Sequence, residues 1–197
     1  RYHNPGLMDM IKYTRIIDKE NPVFIDVGAN MGQSIDLFLN SYPHSKIYSF
    51  EPTIRLLSRL KKRYNNYSNI HIVDVALSDF DGETVFYTSD FSPTNSLFKP
   101  NIIKYEEQES SITNILEKTK EEKCMVKTFS NWYKENMIDE QIDLMKIDVQ
   151  GAEYNVLSGC KEILSKKIKA VTVELQYLDF YTGSKMFFEV IDLMYNN

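Results

Sequence analysis

The sequence predicts an α/β fold in which a mostly parallel sheet carries helices on both faces. Short apolar segments of strand length alternate with longer segments whose apolar residues recur every three or four positions. In addition, the buried strand predicted at 22–27 runs directly into a glycine-containing turn and then a helix. Alternation of this kind is typical of parallel strands joined by crossover helices. We expect residues 1–197 to form a single domain, a length sufficient for a substantial core.

The pattern assigns most of the chain to regular elements. Strands are predicted near 22–27, 46–50, 70–75, 84–88, 142–148 and 169–175. Helices are predicted at 33–42, 53–65, 130–136, 152–165 and 184–195, with a further candidate at 7–18. In the helix at 53–65, Leu56, Leu57 and Leu60 share one face, as expected of a helix packed on a sheet.

Residues 89–127 depart from this alternation. The segment is polar, contains Pro93 and Pro100, and includes an acidic stretch at 105–110. A loop of this length inside a compact domain is usually functional or mobile. We interpret it as a flap that shapes the substrate pocket, with a short helix near 111–120. A disordered surface excursion is the alternative.

Composition narrows the class of protein. Hydrophobic residues make up 43% of the chain and charged residues 26%, with a formal net charge of −5. This balance does not suggest a nucleic-acid partner. We see neither a run long enough to span a membrane nor a signal-peptide pattern. Two cysteines do not form a disulfide framework, so a reducing cytoplasmic setting is expected. The oligomeric state is not predicted by the sequence.

The first two strand ends carry acidic residues beside a turn. The first strand reaches Asp26, and the turn after it contains Gly28 and Gly32. The second strand is followed by Glu51 and Pro52. A strand, a tight turn and a helix N-terminus form the usual nucleotide cradle, and a carboxylate after the second strand is placed to bind ribose hydroxyls. The sequence therefore predicts a cofactor that contains adenosine.

The turn favours S-adenosylmethionine over a dinucleotide. A dinucleotide needs G-x-G-x-x-G, because backbone amides must close on a pyrophosphate. This turn lacks the third glycine, and Asp26 would repel the pyrophosphate. S-adenosylmethionine has no phosphate, and acidic residues attract its ammonium group. We predict that Asn30, within the turn, and Ser34, in the following helix, also contact it. A plain turn that needs its glycines only for backbone reasons and a nicotinamide-dependent oxidoreductase are the alternatives.

Several ordered segments resemble one family. Residues 143–153 read DLMKIDVQGAE, close to the DLLKIDVEGAE of FkbM-type S-adenosylmethionine-dependent methyltransferases. Residues 24–32 resemble that family's FIDVGANxG, and 50–52 its FEP. Residues 75–79 look like its VALSD, and 94–97 resemble an SSL element of its variable loop. The resemblance runs from about residue 22 to 176.

The resemblance implies a class I methyltransferase (Rossmann-like) fold with a seven-stranded sheet. It also implies methyl transfer to a hydroxyl oxygen of a saccharide or natural-product acceptor, with Asp74 and Ala76 bordering the adenine. Two residues depart from the family pattern: Gln150 stands where Glu is usual, and Asp74 where Asn is common. The chain stops at Asn197, so we expect the sixth and seventh strands to be missing. A non-catalytic methyltransferase-like binding domain is therefore a further alternative.

Methyl transfer from a sulfonium is an in-line displacement, so alignment matters most, and a general base helps a hydroxyl acceptor. Asp148 ends the strand at 142–148, where ligands bind in open α/β sheets. We assign it to the methionine end of the cofactor or to the acceptor hydroxyl; a helix cap is the alternative.

We assign Glu174 to the pocket rather than to a buried partner, and we name Asp148 and Glu174 as the catalytic residues. Glu153 has two open interpretations, helix-dipole complementation and a substrate contact. Tyr177 and Tyr181 either stack on a sugar ring or pack in the core. The oxygen donors are not diagnostic for Mg²⁺, so we predict no metal site.

Overall fold

The computed structural model describes residues 17–137 and 139–196. Eight strands are formed within them: β1 (Val23–Val27), β2 (Lys46–Phe50), β3 (Ile70–Val73), β4 (Ala76–Ser78), β5 (Gly82–Thr88), β6 (Lys120–Thr128), β7 (Leu144–Ile147) and β8 (Val171–Val173). The α-helices are α1 (Gln33–Ser41), α2 (Ile54–Arg63), α3 (Ile102–Glu107), α4 (Thr113–Leu116), α5 (Phe129–Asn136), α6 (Glu153–Cys160), α7 (Leu164–Lys167) and α8 (Phe187–Tyr195).

The central sheet is parallel throughout. Its five strands lie in the order β3-β2-β1-β7-β8. The chain moves outward from β1 to β3 and later resumes on the other side of β1 with β7. A reversal of this kind opens a crevice beyond the carboxyl ends of the two inner strands, where ligands of doubly wound sheets bind. The predicted α/β class and the predominantly parallel sheet are confirmed.

Helices cover both faces of this sheet because successive residues of each buried strand point to opposite sides. On one face, Phe24 stacks on Phe38 of α1 with ring centroids 4.3 Å apart, and Leu60 of α2 joins the same cluster. On the other face, Ile25 packs in a cluster with Trp132 of α5 and with α6 and α8. The two hydrophobic layers fix the sheet and its carboxyl edge between them.

Two predicted elements differ in detail. The helix expected at 152–165 is two helices, α6 and α7, separated by a turn. The strand expected at 84–88 exists as β5, but it belongs to a second sheet of order β4-β6-β5. The candidate helix at 7–18 falls almost entirely outside the described residues.

The segment predicted as a flap contains a strand that we missed. Residues 120–127 belong to β6, which pairs antiparallel with β5 along seven residues and parallel with β4. Only Cys124 and Val126 of β6 are buried, while charged residues fill its exposed face, for example Lys123 in an ion pair with Glu83. The remainder, 89–119, contains a short 3₁₀ turn, α3 and α4. The last of these lies within the helix predicted near 111–120.

Within the described part of the chain, none of the helices has the length and apolar character needed to cross a lipid bilayer.

Candidate cofactor and acceptor site

A cavity of about 440 Å³ lies at the carboxyl ends of β1, β2 and β7, bounded on its outer side by the flap. Pockets of this size hold small molecules and cofactors. Its wall includes eight of the predicted site residues: Gly28, Asn30, Ser34, Glu51, Pro52, Ala76, Asp148 and Glu174. The topology thus brings together residues that lie up to 146 positions apart (Gly28 to Glu174).

The turn at 28–32 uses its own amides within the protein. Gly28 N and Ala29 N both donate to the Phe50 carbonyl, at 3.1 and 3.0 Å, and Gly32 N donates to the Ala29 carbonyl at 2.8 Å. The Asn30 amide donates to Glu51 at 2.9 Å and the Met31 amide to the Gln33 side chain at 3.2 Å. All five amides are therefore engaged, an arrangement that does not suit a pyrophosphate.

Gly28 lies where the chain cannot accommodate a side chain. Its φ of +88° belongs to the left-handed region. A Cβ added at Gly28 would lie 1.9 Å from the carbonyl oxygen of Asp148, just beyond the ends of β1 and β7. The turn after β1 and the loop after β7 are therefore in direct contact at the cavity.

Glu51 connects the turn to the start of α2. It is 4% exposed, and its two carboxylate oxygens accept from the amides of Asn30 and Thr53, each at 2.9 Å. Burial raises its pKa, although these amide donors oppose the shift. Each oxygen has a second lone pair, and the side chain lines the cavity. Glu51 can therefore still accept hydrogen bonds from ligand hydroxyls.

Asp26, which we predicted as a cofactor contact, lies outside the cavity wall, and that contact stays a prediction. It is fully buried beneath the cavity wall, accepts from Ser49 Oγ at 2.8 Å, and lies 3.6 Å from Lys146 Nζ. The three residues stand in register on adjacent strands β2, β1 and β7. The turn amides have other acceptors, so Asp26 neither lines the cavity nor holds the turn. Its position on β1, pointing at a cation of the next strand, explains the difference.

Gly32 and Asp74 also lie outside the cavity wall. Gly32 begins α1 with φ +88°, and its carbonyl accepts from the Tyr64 hydroxyl at 3.0 Å. Asp74 has a 59% exposed side chain and forms a 4.0 Å ion pair with Lys61 of α2. The chain turns at this point so that Ala76, in β4, reaches the wall instead. Neither Gly32 nor Asp74 lines the cavity, and their cofactor contacts stay predictions.

Lys146 is a cavity residue that sequence reasoning missed. Its side chain is 10% exposed, and its Nζ lies 3.2 Å from Asp148 and 3.6 Å from Asp26. Burial alone would lower its pKa, but the two carboxylates raise it, so the lysine stays charged. A lysine in the middle of a buried strand requires such partners. The sequence did contain a signal for this position: Lys146 lies two residues before Asp148, and alternate residues of a strand share a face.

The pKa values of Asp148 and Glu174 are shifted in opposite directions. Burial opposes ionisation of Asp148, but Lys146 and hydrogen bonds to its carboxylate hold its pKa below the usual range. Glu174 is exposed, but desolvation by the surrounding cavity wall and then the charge of Asp148 raise its pKa to about 8. Two carboxylic groups with pKa values moved in opposite directions are typical of an acid–base pair.

Gln150 connects this pair. Its Nε2 donates to Asp148 Oδ1 at 2.9 Å and to Glu174 Oε2 at 2.5 Å. Its Oε1 accepts from the hydroxyl of Tyr181 at 3.0 Å. Tyr181 is 1% exposed, so its role is in the core rather than on an acceptor ring. Tyr177, by contrast, is 66% exposed.

Glu153 serves the loop rather than the cavity. It is 2% exposed and accepts from the amides of Val149 and Gly151, at 3.1 and 2.9 Å. Burial raises its pKa to about 7. These contacts support the structural interpretation over a substrate contact. Within residues 17–137 and 139–196, no group of three His, Cys, Asp or Glu side chains is arranged to hold a metal ion.

The flap contacts both ends of the cavity. Ser92 Oγ donates to Asn30 Oδ1 at 2.9 Å, next to the turn, and Ser96 Oγ donates to the Gln150 carbonyl at 2.6 Å. Next to these contacts in the sequence, Phe91, Pro93 and Leu97 line the cavity. The segment therefore forms part of the cavity wall.

The amino-acid sequence is similar to those of known methyltransferases. A family model described as the methyltransferase FkbM domain matches residues 26–197. The chain is 28% identical over 193 residues to the 2-O-methyltransferase NoeI of Sinorhizobium fredii, covering 91% of this chain and 73% of that protein. It is also 28% identical to Methyltransferase 1 of Beauveria bassiana over 162 residues, covering 79% of this chain.

A solved structure extends the likeness to the fold. The methyltransferase FkbM from Methylobacillus flagellatus KT matches with a TM-score of 0.53 at 14% identity, over 84% of this chain. The chain spans 36% of that protein's chain and 65% of the Beauveria bassiana relative. The family match covers the strand ends, the turn, the flap and the acidic pair described above. The chain belongs to the FkbM methyltransferase family.

Proposed function

We propose that this protein is an S-adenosylmethionine-dependent O-methyltransferase that acts on a hydroxyl group of a saccharide or natural-product acceptor. One observation carries the proposal: a single cavity joins the Glu51 corner to the Asp148–Glu174 pair. A cofactor held at the first corner can therefore meet an acceptor hydroxyl at the second. The name of NoeI, a 2-O-methyltransferase, supports transfer to oxygen.

The residues present suit the cofactor. Glu51 offers carboxylate oxygens for the ribose hydroxyls, and Pro52 and Ala76 offer an apolar wall for the adenine. Asn30 and Asp148 lie toward the methionine end, where a carboxylate attracts an ammonium group. The occupied turn amides, which do not suit a pyrophosphate, favour this cofactor over a dinucleotide.

The acidic pair supplies the base. When bound, S-adenosylmethionine supplies an electrophilic methyl group and leaves as a neutral thioether. Glu174 takes the acceptor's hydroxyl proton as the new oxygen–carbon bond forms, because a base with a pKa of about 8 is well matched to neutral conditions. Asp148, held ionised by Lys146, keeps the pKa of Glu174 raised. Phe91, Pro93 and Leu97 of the flap exclude water from the reacting groups.

We further propose a single domain that works in the cytoplasm on a small-molecule or saccharide partner. The two cysteines are unpaired and buried, which fits a reducing compartment.

Calorimetric titration with S-adenosylhomocysteine tests the proposal. We expect one binding site, and E51A should weaken binding by at least about tenfold, because ribose hydroxyls lose their acceptor. D74A is the matched control, since it removes an exposed carboxylate outside the cavity wall and should bind normally. Circular dichroism checks that both variants are folded.

Two calorimetric outcomes would contradict the proposal. One is saturable binding of NADH in a parallel titration, with no binding of S-adenosylhomocysteine, which would favour an oxidoreductase. The other is equal loss of binding in E51A and D74A. Binding without turnover over a broad panel of hydroxyl acceptors would instead favour a non-catalytic binding domain.

A further inference from the structure

At the acceptor end of the cavity, one neutral amide lies between two carboxylates. Both N–H groups of the Gln150 side chain are donated, one to Asp148 and one to Glu174. The buried hydroxyl of Tyr181 holds the amide oxygen from behind at 3.0 Å. The opposite amide orientation would turn the amide oxygen toward the Asp148 carboxylate, which cannot donate when ionised, and would lose that hydrogen bond. The orientation of the amide is therefore determined by its neighbours.

The backbone supports this placement. Gln150 has a φ of 58°, a region that residues other than glycine seldom occupy. Its carbonyl accepts from Ser96 of the flap at 2.6 Å, and the next amide, of Gly151, donates to the buried Glu153 at 2.9 Å. A non-glycine residue persists in such a conformation only where its surroundings hold it there.

The arrangement differs from what a metal ion would need. Mg²⁺ and related cations bind carboxylate and carbonyl oxygens. Gln150 presents N–H groups to the pair, and its own oxygen is directed to Tyr181. On the far side of Asp148, Lys146 already provides a positive charge at 3.2 Å. A Glu at position 150, which the family resemblance leads one to expect, would instead direct a third carboxylate at the same point.

We propose that Gln150 is a positioning residue that makes the acidic pair independent of divalent metal. It donates hydrogen bonds to both Asp148 and Glu174, and so directs N–H groups rather than an oxygen ligand at the pair. The proposal rests on the proposed function only in giving the pair a role as acid and base. The predicted metal behaviour follows from the side chains alone.

Metal binding to Q150E is the direct test. Calorimetric titration with MnCl₂ should show no saturable binding to the unaltered chain. Q150E should bind Mn²⁺ at least about tenfold more tightly and release protons as it does so, because three carboxylates then converge. Q33E is the matched control: it adds a carboxylate to the same cavity wall, keeps an acceptor for the Met31 amide, and should not bind Mn²⁺.

Turnover provides the second readout. EDTA should leave the unaltered chain's activity unchanged, whereas Q150E should lose at least about tenfold and recover with Mn²⁺. Q150M, which has no donor and no extra charge, should lose activity that metal does not restore.

The proposal is overturned if the unaltered chain binds Mn²⁺ in a way that E174Q abolishes, or if EDTA inhibits its turnover. It is also overturned if folded Q150E binds no Mn²⁺, or if Q150M retains full turnover. The calorimetric arms need no methyl transfer, so they remain informative if the proposed function fails.

Discussion

The two ends of the cavity are built in different ways. At the cofactor end, backbone amides of the turn donate hydrogen bonds to the Phe50 carbonyl and the Glu51 carboxylate, so main-chain geometry sets the shape of the cavity. At the acceptor end, side chains of Lys146, Asp148, Gln150 and Glu174 form one polar network. The difference teaches that backbone contacts can fix the shape of one end of a cavity while a few side chains set the chemistry of the other.

The largest effect should come from G28A, which attacks the backbone end. The added Cβ would lie 1.9 Å from the Asp148 carbonyl oxygen, and φ is +88°. We expect a loss of about 3 kcal/mol or more in the free energy of unfolding, together with loss of cofactor binding. Urea denaturation measures the first quantity and calorimetry the second.

G82A is the control for backbone strain alone, because Gly82 has a φ of +152° with nothing within 4 Å of an added Cβ. G82A should lower the free energy of unfolding clearly less than G28A does. Equal losses in the two variants would show that the contact between the turn after β1 and the loop after β7 is not tight.

E174Q should impair the acceptor end of the cavity and leave cofactor binding nearly unchanged. We expect kcat to fall by roughly 10²–10⁴-fold, because the general base is lost, while S-adenosylhomocysteine binds within about twofold of normal. In the unaltered chain, kcat should rise with pH through about 8, because a base works only once it is deprotonated and the pKa of Glu174 is raised to about 8.

E174Q should remove that rise from the pH profile. Steady-state measurements of kcat between roughly pH 6 and 9.5, a range centred near the pKa of Glu174, test this prediction. A rise that persists in E174Q would assign the ionisation to another group.

S92A should have the smallest effect. It removes the 2.9 Å hydrogen bond between the flap and Asn30. The loss of one such bond is worth about 0.5–1.5 kcal/mol, so KM for S-adenosylmethionine should rise a few-fold with little change in unfolding free energy. S58A on the exposed face of α2 is a matched Ser-to-Ala control outside the flap. Identical kinetics in S92A and S58A would show that the contact between the flap and Asn30 does not contribute to cofactor binding.

The same contrast explains what the sequence could predict. The turn at 28–32 and Glu51 are set by local chemistry, so their place at the cavity followed from strand, glycine and carboxylate positions. β6 was missed because only Cys124 and Val126 of its nine residues are buried, which hides the alternating pattern. Its pairing with β5 joins residues 32 to 44 positions apart, from Thr88 with Lys120 to Gly82 with Val126, and a local sequence pattern does not encode such a long-range pairing.

Side-chain direction was the other limit. Asp26 and Asp74 flank predicted cavity residues in the sequence, yet their side chains pair with Lys146 and Lys61 instead. These partners lie on β7 and α2, so the side-chain direction depends on tertiary packing. The Gln150 bridge likewise depends on Tyr181, 31 positions away.

The most direct test is a crystal structure of the chain with S-adenosylhomocysteine. Our account predicts the ribose hydroxyls at Glu51 and the sulfur atom facing Asp148 and Glu174, with Phe91 and Leu97 still closing the cavity. A ligand bound elsewhere, or one whose sulfur faces away from the acidic pair, would contradict it.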